Sequence, residues 1–226
     1  MKIKIYTILF FLIALVTMSA CNKNDNFNYP AGTVGISKII YFPIIKINGN
    51  RIMAITQGGT FTDPGAAATL NGASATYTTI PVINTATPGI YTIIYTAKNA
   101  EGYSATDWRM VVVTPTSVSS DPVASTNDFS GKYLRAATGV TSTWTKLATG
   151  VYTVENPGGA TSGVGLLAVV VNYSGNDISI PVQTDLYFGG VISTTGAVYV
   201  TGTTSQYSWV FNASGYGTSK RTFIKK

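Results

Sequence analysis

Along most of the chain the apolar residues fall in short runs separated by Gly, Pro, Asn, Asp and Ser, and many runs alternate with polar positions. Period-two alternation between turn residues predicts half-buried strands, and no segment sustains the 3.6-residue period of a helix. The clearest case is residues 89–97, where Tyr91, Ile93, Tyr95 and Ala97 share one face and Thr92 and Thr96 the other. Other strands in the first half are expected within 36–47, at 51–56 and at 107–113. Pro43 points to an edge strand or a bulge, and Asn48-Gly49-Asn50 reads as a hairpin turn. In the second half, strands are expected at 131–135, 143–147, 151–155, 166–173, 178–182, 185–188, 197–201, 207–211 and 221–224. Their short Gly-rich connectors suit an antiparallel β-sandwich or a small barrel. Residues 114–126, rich in Ser, Thr and Pro, read as a linker between the halves.

The first residues follow a different pattern. Lys2 and Lys4 precede an apolar run over 5–16, and Met18-Ser19-Ala20 then lead to Cys21, the only cysteine. A charged start, an apolar middle and small residues before a cut site are the features of a secretory signal peptide. The run falls short of the ~20 residues that span a bilayer. With a cysteine directly after the small residues, the segment resembles a bacterial lipoprotein signal; an ordinary secreted protein or an anchor helix are the alternatives. The resemblance implies that residues 1–20 are removed and that Cys21 is acylated. The lipid on Cys21 would then hold the protein to the outer membrane, at the cell surface or the periplasmic face. Residues 22–33 read as a polar tether.

Composition agrees with an extracytoplasmic all-β protein. Charged residues are 11% of the chain, against ~25% in an average soluble domain, and Thr, Ser, Gly, Tyr, Val and Ile take their place. Without residues 1–20 there remain 206 residues, enough for two immunoglobulin-sized units of ~100 each. Loss of Lys2 and Lys4 leaves 13 of the 15 basic residues against 9 acidic ones, a net +4. Four of the 13 are Lys220, Arg221, Lys225 and Lys226, read as a solvated, frayed end or as an attraction to an anionic surface. No basic stripe runs through either half, so nucleic acid is not an expected partner. A single cysteine allows no intrachain disulfide, and each domain must stand on its apolar core.

The segments Gly59-Thr60-Phe61-Thr62-Asp63-Pro64-Gly65-Ala66 and Thr87-Pro88-Gly89-Ile90-Tyr91-Thr92-Ile93-Ile94-Tyr95-Thr96-Ala97 resemble the bacterial Ig-like domain first noted in insecticidal crystal toxins. The resemblance spans residues 34–113. Where that family commonly continues with an acidic residue and Ala-Gly-Asn, this chain has Lys98-Asn99-Ala100-Glu101-Gly102, which argues against a carboxylate-based calcium site at the turn. Residues 127–226, with Gly131-Lys132-Tyr133, Gly150-Val151-Tyr152 and a closing Tyr-containing hairpin, are similar to the C-terminal β-domain of Bacteroides-type lipoproteins of unknown function. The expected order is therefore signal peptide 1–20, acylated cysteine and tether 21–33, Ig-like sandwich 34–113, linker 114–126 and C-terminal β-domain 127–226.

The chain has no histidine, which removes Ser-His-Asp triads, Cys-His pairs and His-ligated zinc. No Gly-rich loop leads from a strand into a helix, and no cofactor or metal is expected. Two carboxylates alone can hydrolyse a glycoside, and Glu155 and Asp185 lie near strand ends in the second domain. Asp63 and Asp177 have a simpler reading as turn residues. Aromatic residues carry the remaining signal. Tyr207, Trp209 and Phe211 alternate on one strand face, with Trp144, Tyr173, Tyr187, Tyr199 and Tyr216 in the same domain. A ring exposed on a sheet stacks against the apolar face of a sugar, and the same rings equally fill a core. Trp144, Tyr187, Tyr207 and Trp209 are the candidate ligand-binding residues, with Asn172, Gln206 and Asp185 as hydroxyl readers; Trp108 reads as a core or inter-domain packing residue. The expectation is a non-catalytic envelope lipoprotein that presents a glycan-binding module on an Ig-like spacer. The alternatives are an assembly protein contacting another envelope protein and a two-carboxylate hydrolase.

Overall fold

In a computed structural model of the chain, residues 30–34, 37–81, 83–185 and 188–226 are described. The signal segment, Cys21 and most of the tether lie outside them. The chain divides into two units, one ending at Tyr41 and one comprising Phe42–Lys226. The described part of the first carries a minimal antiparallel ladder, β1 (Thr33–Val34) with β2 (Ser37–Lys38). Among the described residues no helix is long and apolar enough to cross a membrane.

The second unit begins with the Ig-like half. One sheet has the order β3 (Pro43–Ile47), β5 (Ala66–Leu70), β6 (Ala73–Ser74). The other has the order β4 (Ile52–Thr56), β9 (Ser104–Thr114), β8 (Gly89–Lys98), β7 (Thr78–Ile80). Ile47, Ile93, Tyr95 and Val111 are buried between them, as the alternation over 89–97 requires. Strand β3 lies at a sheet edge, where Pro43 loses no ladder bond.

The expected hairpin at Asn48-Gly49-Asn50 is not formed. β3 pairs antiparallel with β5, whereas β4 pairs parallel with β9, so the turn carries the chain from one sheet to the other. The cause is Arg109, fully buried on β9. Its guanidinium donates to the carbonyls of Asn48 (2.5 Å), Asn50 and Gly65 (3.2 Å), and its Nε donates to the Tyr95 hydroxyl (3.0 Å). Asp63 lies 3.1 Å from the same Nε and accepts from the Tyr95 hydroxyl at 2.7 Å. Asp63 also caps its own turn by accepting from the Gly65 N–H at 3.0 Å. The Asp63-Pro64-Gly65 and Tyr95 motifs thus meet on one buried cation. Burial, followed by the hydrogen bond to Asp63, pushes the Tyr95 phenol up to about 12.

The C-terminal half is one nine-stranded antiparallel sheet. Its order is β14 (Asp177–Ser179), β13 (Leu167–Ser174), β12 (Val151–Glu155), β11 (Val140–Ala148), β10 (Gly131–Arg135), β18 (Lys220–Lys225), β17 (Gln206–Asn212), β16 (Val191–Val200), β15 (Gln183–Thr184). The sheet curls until the residue after β14 meets β16. The Ile180 N–H donates to the Thr194 hydroxyl (2.8 Å), and the Thr194 N–H donates to the Ile180 carbonyl (3.1 Å). The barrel alternative is therefore the observed one. Strand β18 lies between β10 and β17 with Arg221 and Phe223 buried, so the basic C-terminus is a central strand and not a frayed end.

Residues 114–126 are packed, not a loose linker. Helix α1 (Thr116–Ser120) buries Val118 completely, and Ala124 is buried after it. Asp121 accepts from the N–H groups of Val123, Ala124 and Gly175, which ties the segment to the β13–β14 turn. Val118 joins Met110, Val112, Val151, Val169 and Val171 in a second core, with Trp108 packed against it. Trp108 thus serves the packing expected of it, and Arg51 covers its ring 4.6 Å from the centroid.

Arg109→Leu removes the cation and leaves Asp63 and several carbonyls without their donor. We expect a loss of about 3–5 kcal/mol in unfolding free energy by guanidinium titration. Lys46→Ala, on the edge strand, should stay within about 0.5 kcal/mol of the parent. Acid provides a second test. Burial alone would raise the Asp107 carboxyl, but it accepts from Arg51 (2.6 Å) and from the Ile47 and Trp108 N–H groups, which together hold it below its ordinary value. Its contribution is fully present above the unfolded carboxylate range and is lost as pH falls through the depressed native value. Denaturation midpoints between pH 7 and pH 2 should therefore fall less steeply in Asp107→Asn than in the parent.

Candidate functional site

Trp144, Tyr207 and Trp209 line the inside of the curled sheet and present no surface to a ligand: they are 1%, 0% and 0% exposed. Trp144 stacks on Trp209 at 5.7 Å, Tyr207 stacks on Phe223 at 4.5 Å, and Phe211 continues the same inward row. The Trp209 indole N–H donates to the Pro157 carbonyl at 3.0 Å. With no disulfide available, a barrel this small is filled by large rings, and the alternation of Tyr207, Trp209 and Phe211 records that filling. Asn172, also considered as a hydroxyl reader, is buried and donates to the Gly175 and Asp177 carbonyls of its own hairpin. Tyr187 lies outside the described residues.

A cleft of about 300 Å3 opens at one end of the barrel, lined by Ser162, Asp185, Phe188, Val191, Ser214 and Tyr216, among others. Each wall has a local cause. Gln183 on β15 uses its amide as a substitute strand: it donates to the Val169 carbonyl and accepts the Val169 N–H, both at 2.9 Å. This fixes the start of the β15–β16 turn. The Asp185 N–H then donates to the Gly190 carbonyl at 2.7 Å, and the Gly189 N–H donates to the Asp185 carbonyl at 2.6 Å. Gly189 takes the left-handed φ of 73° that this tight return needs. The result leaves the Asp185 side chain almost buried, at 2% exposed, while Phe188 and Val191 stand out at 64% and 62%.

Tyr216 forms the opposite wall, on the β17–β18 connection. Phe211 supports its ring edge-on at 4.9 Å, and the Arg221 guanidinium lies 5.2 Å from it. Arg221 also donates to the Tyr216 and Gly158 carbonyls. Gly158 and Gly163 are required beneath this ring, because a Cβ at either would collide with Tyr216. Burial raises the Tyr216 phenol above its ordinary value; the nearby Arg221 charge opposes that, the Asp185 charge adds to it, and a hydrogen bond with Ser162 opposes it.

The cleft therefore combines one carboxylate, hydroxyls from Ser162, Ser214 and Tyr216, and an apolar rim. Glu155 lines a different groove, with Asn156, Val164 and Leu167, so the two carboxylates considered for hydrolysis are not brought into one cleft. Among the described residues no group of three or more Asp or Glu side chains gathers to hold a metal ion. Asp185 was legible in the sequence as a carboxylate near a strand end. Phe188 and Ser162 were not: Phe188 fell in the strand expected at 185–188, where Asp185 is in no strand and Phe188 lies in a turn, and Ser162 belongs to no alternating run.

With this geometry in view, the relatives can be stated. Residues 45–113 match the family model of the Ig-like domain of bacterial surface proteins. No curated protein matches the chain. Among solved structures, the chain is similar to the lipoprotein BT2262 from Bacteroides thetaiotaomicron at 20% identity and a TM-score of 0.41, covering 82% of this chain and 100% of that one. It is also similar to CBM51-2 in complex with GlcNAc and INT domains from Clostridium perfringens ZmpB, at 16% identity and a TM-score of 0.28, covering 81% and 41%. Both likenesses are too distant to carry a function across.

Since the inward rings are core, Trp209→Ala should cost about 3–5 kcal/mol of stability. Phe188→Ala should cost less than about 0.5 kcal/mol, as a ring two-thirds in water has little burial to lose. Thermal and chemical unfolding of both variants would check the contrast.

Proposed function

We propose that the protein is a non-catalytic cell-envelope lipoprotein, anchored through Cys21, whose C-terminal domain binds a glycan in the Asp185–Tyr216 cleft. The observation that carries this reading is the exposed Phe188 ring beside a floor of carboxylate and hydroxyl groups. A sugar ring has an apolar face and a hydroxyl rim, and this cleft offers a partner for each. The volume lies at the low end for small-molecule sites, which suits one or two sugar residues of a chain and not a long tract. The match of residues 45–113 to a domain of bacterial surface proteins supports the envelope location. The Ig-like half then serves as a fixed mount for the barrel and not as a flexible spacer, because the two share a buried core.

A second reading, contact with another envelope protein, is favoured by the edge of the Ig-like half. There Phe42 and Ile44 are 60% and 69% exposed, and Phe42 meets Tyr103 at 5.0 Å. An unprotected edge with apolar side chains is a template for pairing.

Affinity electrophoresis of residues 22–226 through gels cast with a panel of polysaccharides separates the two. Retardation by one glycan, lost in a folded Phe188→Ala variant and kept in Ile44→Ser, is the expected result. Retardation that survives Phe188→Ala would remove this cleft as the site. Its absence throughout, together with a crosslinked envelope partner lost in Ile44→Ser, would establish the second reading.

A further inference from the structure

The outer face of the curled sheet is charged in one place. Strands β10, β18, β17 and β16 are neighbours, and none of the four contains Asp or Glu. On β18, Arg221 and Phe223 are buried inside, so Lys220, Thr222 and Ile224 point outward. Lys226 continues that outward row, and its N–H donates to the Lys132 carbonyl of β10 at 2.9 Å. Lys132 is exposed beside the buried Tyr133, so two lysines stand side by side on adjacent strands. Like charges in such neighbours repel. Among the described residues no carboxylate pairs with Lys132, Lys220 or Lys226. The first acidic group along this row, Glu155, lies two strands beyond Lys132, about 10 Å away. Lys220 begins β18, about 20 Å from Lys226 at the rise of a strand. The first and last strands of the domain thus assemble a basic strip that no contiguous stretch of sequence contains.

Between the cations the surface is made of two cross-strand rows, Val200–Gln206–Ile224 and Val198–Ser208–Thr222. Its aliphatic side chains are about half-exposed, and its polar ones are uncharged. We infer that this face binds an acidic polysaccharide, laid along β18 with carboxylate or sulfate groups at the Lys132–Lys226 pair and at Lys220. The inference goes beyond the cleft reading and does not rest on it. A polymer laid along a strand follows the straight direction of a curled sheet. Its hydroxyls meet Gln206, Ser208 and Thr222, and the apolar faces of its rings meet Val198 and Ile224. Other occupants fit less well. A second copy of the chain would set this cationic face against itself, as a two-fold interface requires. All four strands are paired on both sides, which leaves no edge for strand addition by a protein. The outward positions of these strands carry no aromatic ring of the kind that seats a protein in a membrane interface.

The test is binding of residues 22–226 to immobilised dextran sulfate, dextran, polygalacturonate and fully methyl-esterified pectin by biolayer interferometry, at about 50 mM and about 300 mM salt. Two variants alter the strip: Lys132→Gln with Lys226→Gln, and Thr222→Glu, which places a carboxylate between the cations. Lys46→Gln with Lys98→Gln removes the same charge from the Ig-like half. Each fold is verified by circular dichroism and thermal unfolding. We expect the two acidic polymers to bind, their neutral counterparts not to, and the higher salt to weaken binding. Lys132→Gln with Lys226→Gln should weaken it about tenfold and Thr222→Glu at least as much. Lys46→Gln with Lys98→Gln, and Phe188→Ala in the cleft, should leave it unchanged. Equal weakening by the two charge-matched pairs would reduce the effect to net charge and overturn the inference. So would loss in Phe188→Ala with the strip variants unaffected, which would move the acidic polymer to the cleft. No binding to either acidic polymer would overturn this inference and leave the cleft reading standing. Cosedimentation with phosphatidylglycerol vesicles, lost in Lys132→Gln with Lys226→Gln while both acidic polymers stay unbound, would overturn it in favour of a membrane. Should the paired lysine variant fail to fold, Thr222→Glu decides: loss of binding supports the inference, and retention overturns it.

Discussion

Strand β9 has water on neither face between Met110 and Thr114, all of them buried. Val111 enters the Ig-like core, while Met110 and Val112 point the other way. The Ig-like half cannot cover that second face with its own strands. Val118 of α1 and Val151, Val169 and Val171 of the curled sheet cover it, which makes the β4–β9–β8–β7 sheet the middle of three layers. Strands buried on both sides read as unbroken apolar runs, as 110–113 does. In a chain without an intrachain disulfide, this shared layer supplies cohesion that secreted domains of this size often take from covalent links.

The same layer determines how the cleft is held. Val169 faces the shared core, and its backbone is the group that the Gln183 amide grips from both sides. Gln183 begins the turn that carries Asp185 and Phe188. A continuous path of packing and hydrogen bonds thus runs from Met110 through Val169 and Gln183 to the cleft. A site mounted on such a path is held more tightly than one on a free loop, and less reorganisation is needed when a ligand arrives. Across the cleft, Tyr216 is fixed by different means, with Phe211 below it and Arg221 behind it. Two independent supports define the opening.

Much of this architecture was legible in the sequence, and the misses have identifiable causes. Strands 131–135 and 151–155 coincide with the observed ones, and the face shared by Tyr91, Ile93, Tyr95 and Ala97 is the buried one, because alternation reports burial directly. The Asn48-Gly49-Asn50 turn was misread because local turn chemistry says where a chain reverses and not which strand it then joins. Here a buried arginine 59 residues beyond Asn50 decides the pairing. Residues 114–126 looked like a linker because one turn of helix has no period to detect. Its single buried valine matters only because a second domain lies against it. At the site, Asp185 and Tyr216 were visible as residue types. Their convergence depends on the strand pairing: β15 to β18 run up and down as neighbours, which puts the β15–β16 and β17–β18 connections at one end, with Ser193 of β16 opposite Asn212 of β17.

The aromatic signal shows most clearly why sequence pattern alone does not tell a core face from an exposed one. Alternation of Tyr207, Trp209 and Phe211 establishes that three rings share a side, and burial then follows from size. A curled nine-stranded sheet encloses more volume than aliphatic side chains of this spacing fill, and the largest rings settle inside. Phe188, by contrast, lies in a turn outside that row and is exposed. The carboxylate of Asp185 is almost buried at the cleft and also lies outside that row. In this fold, ring abundance therefore reports the core, because the rings that alternate along a strand are the ones that fill the inside of the curled sheet.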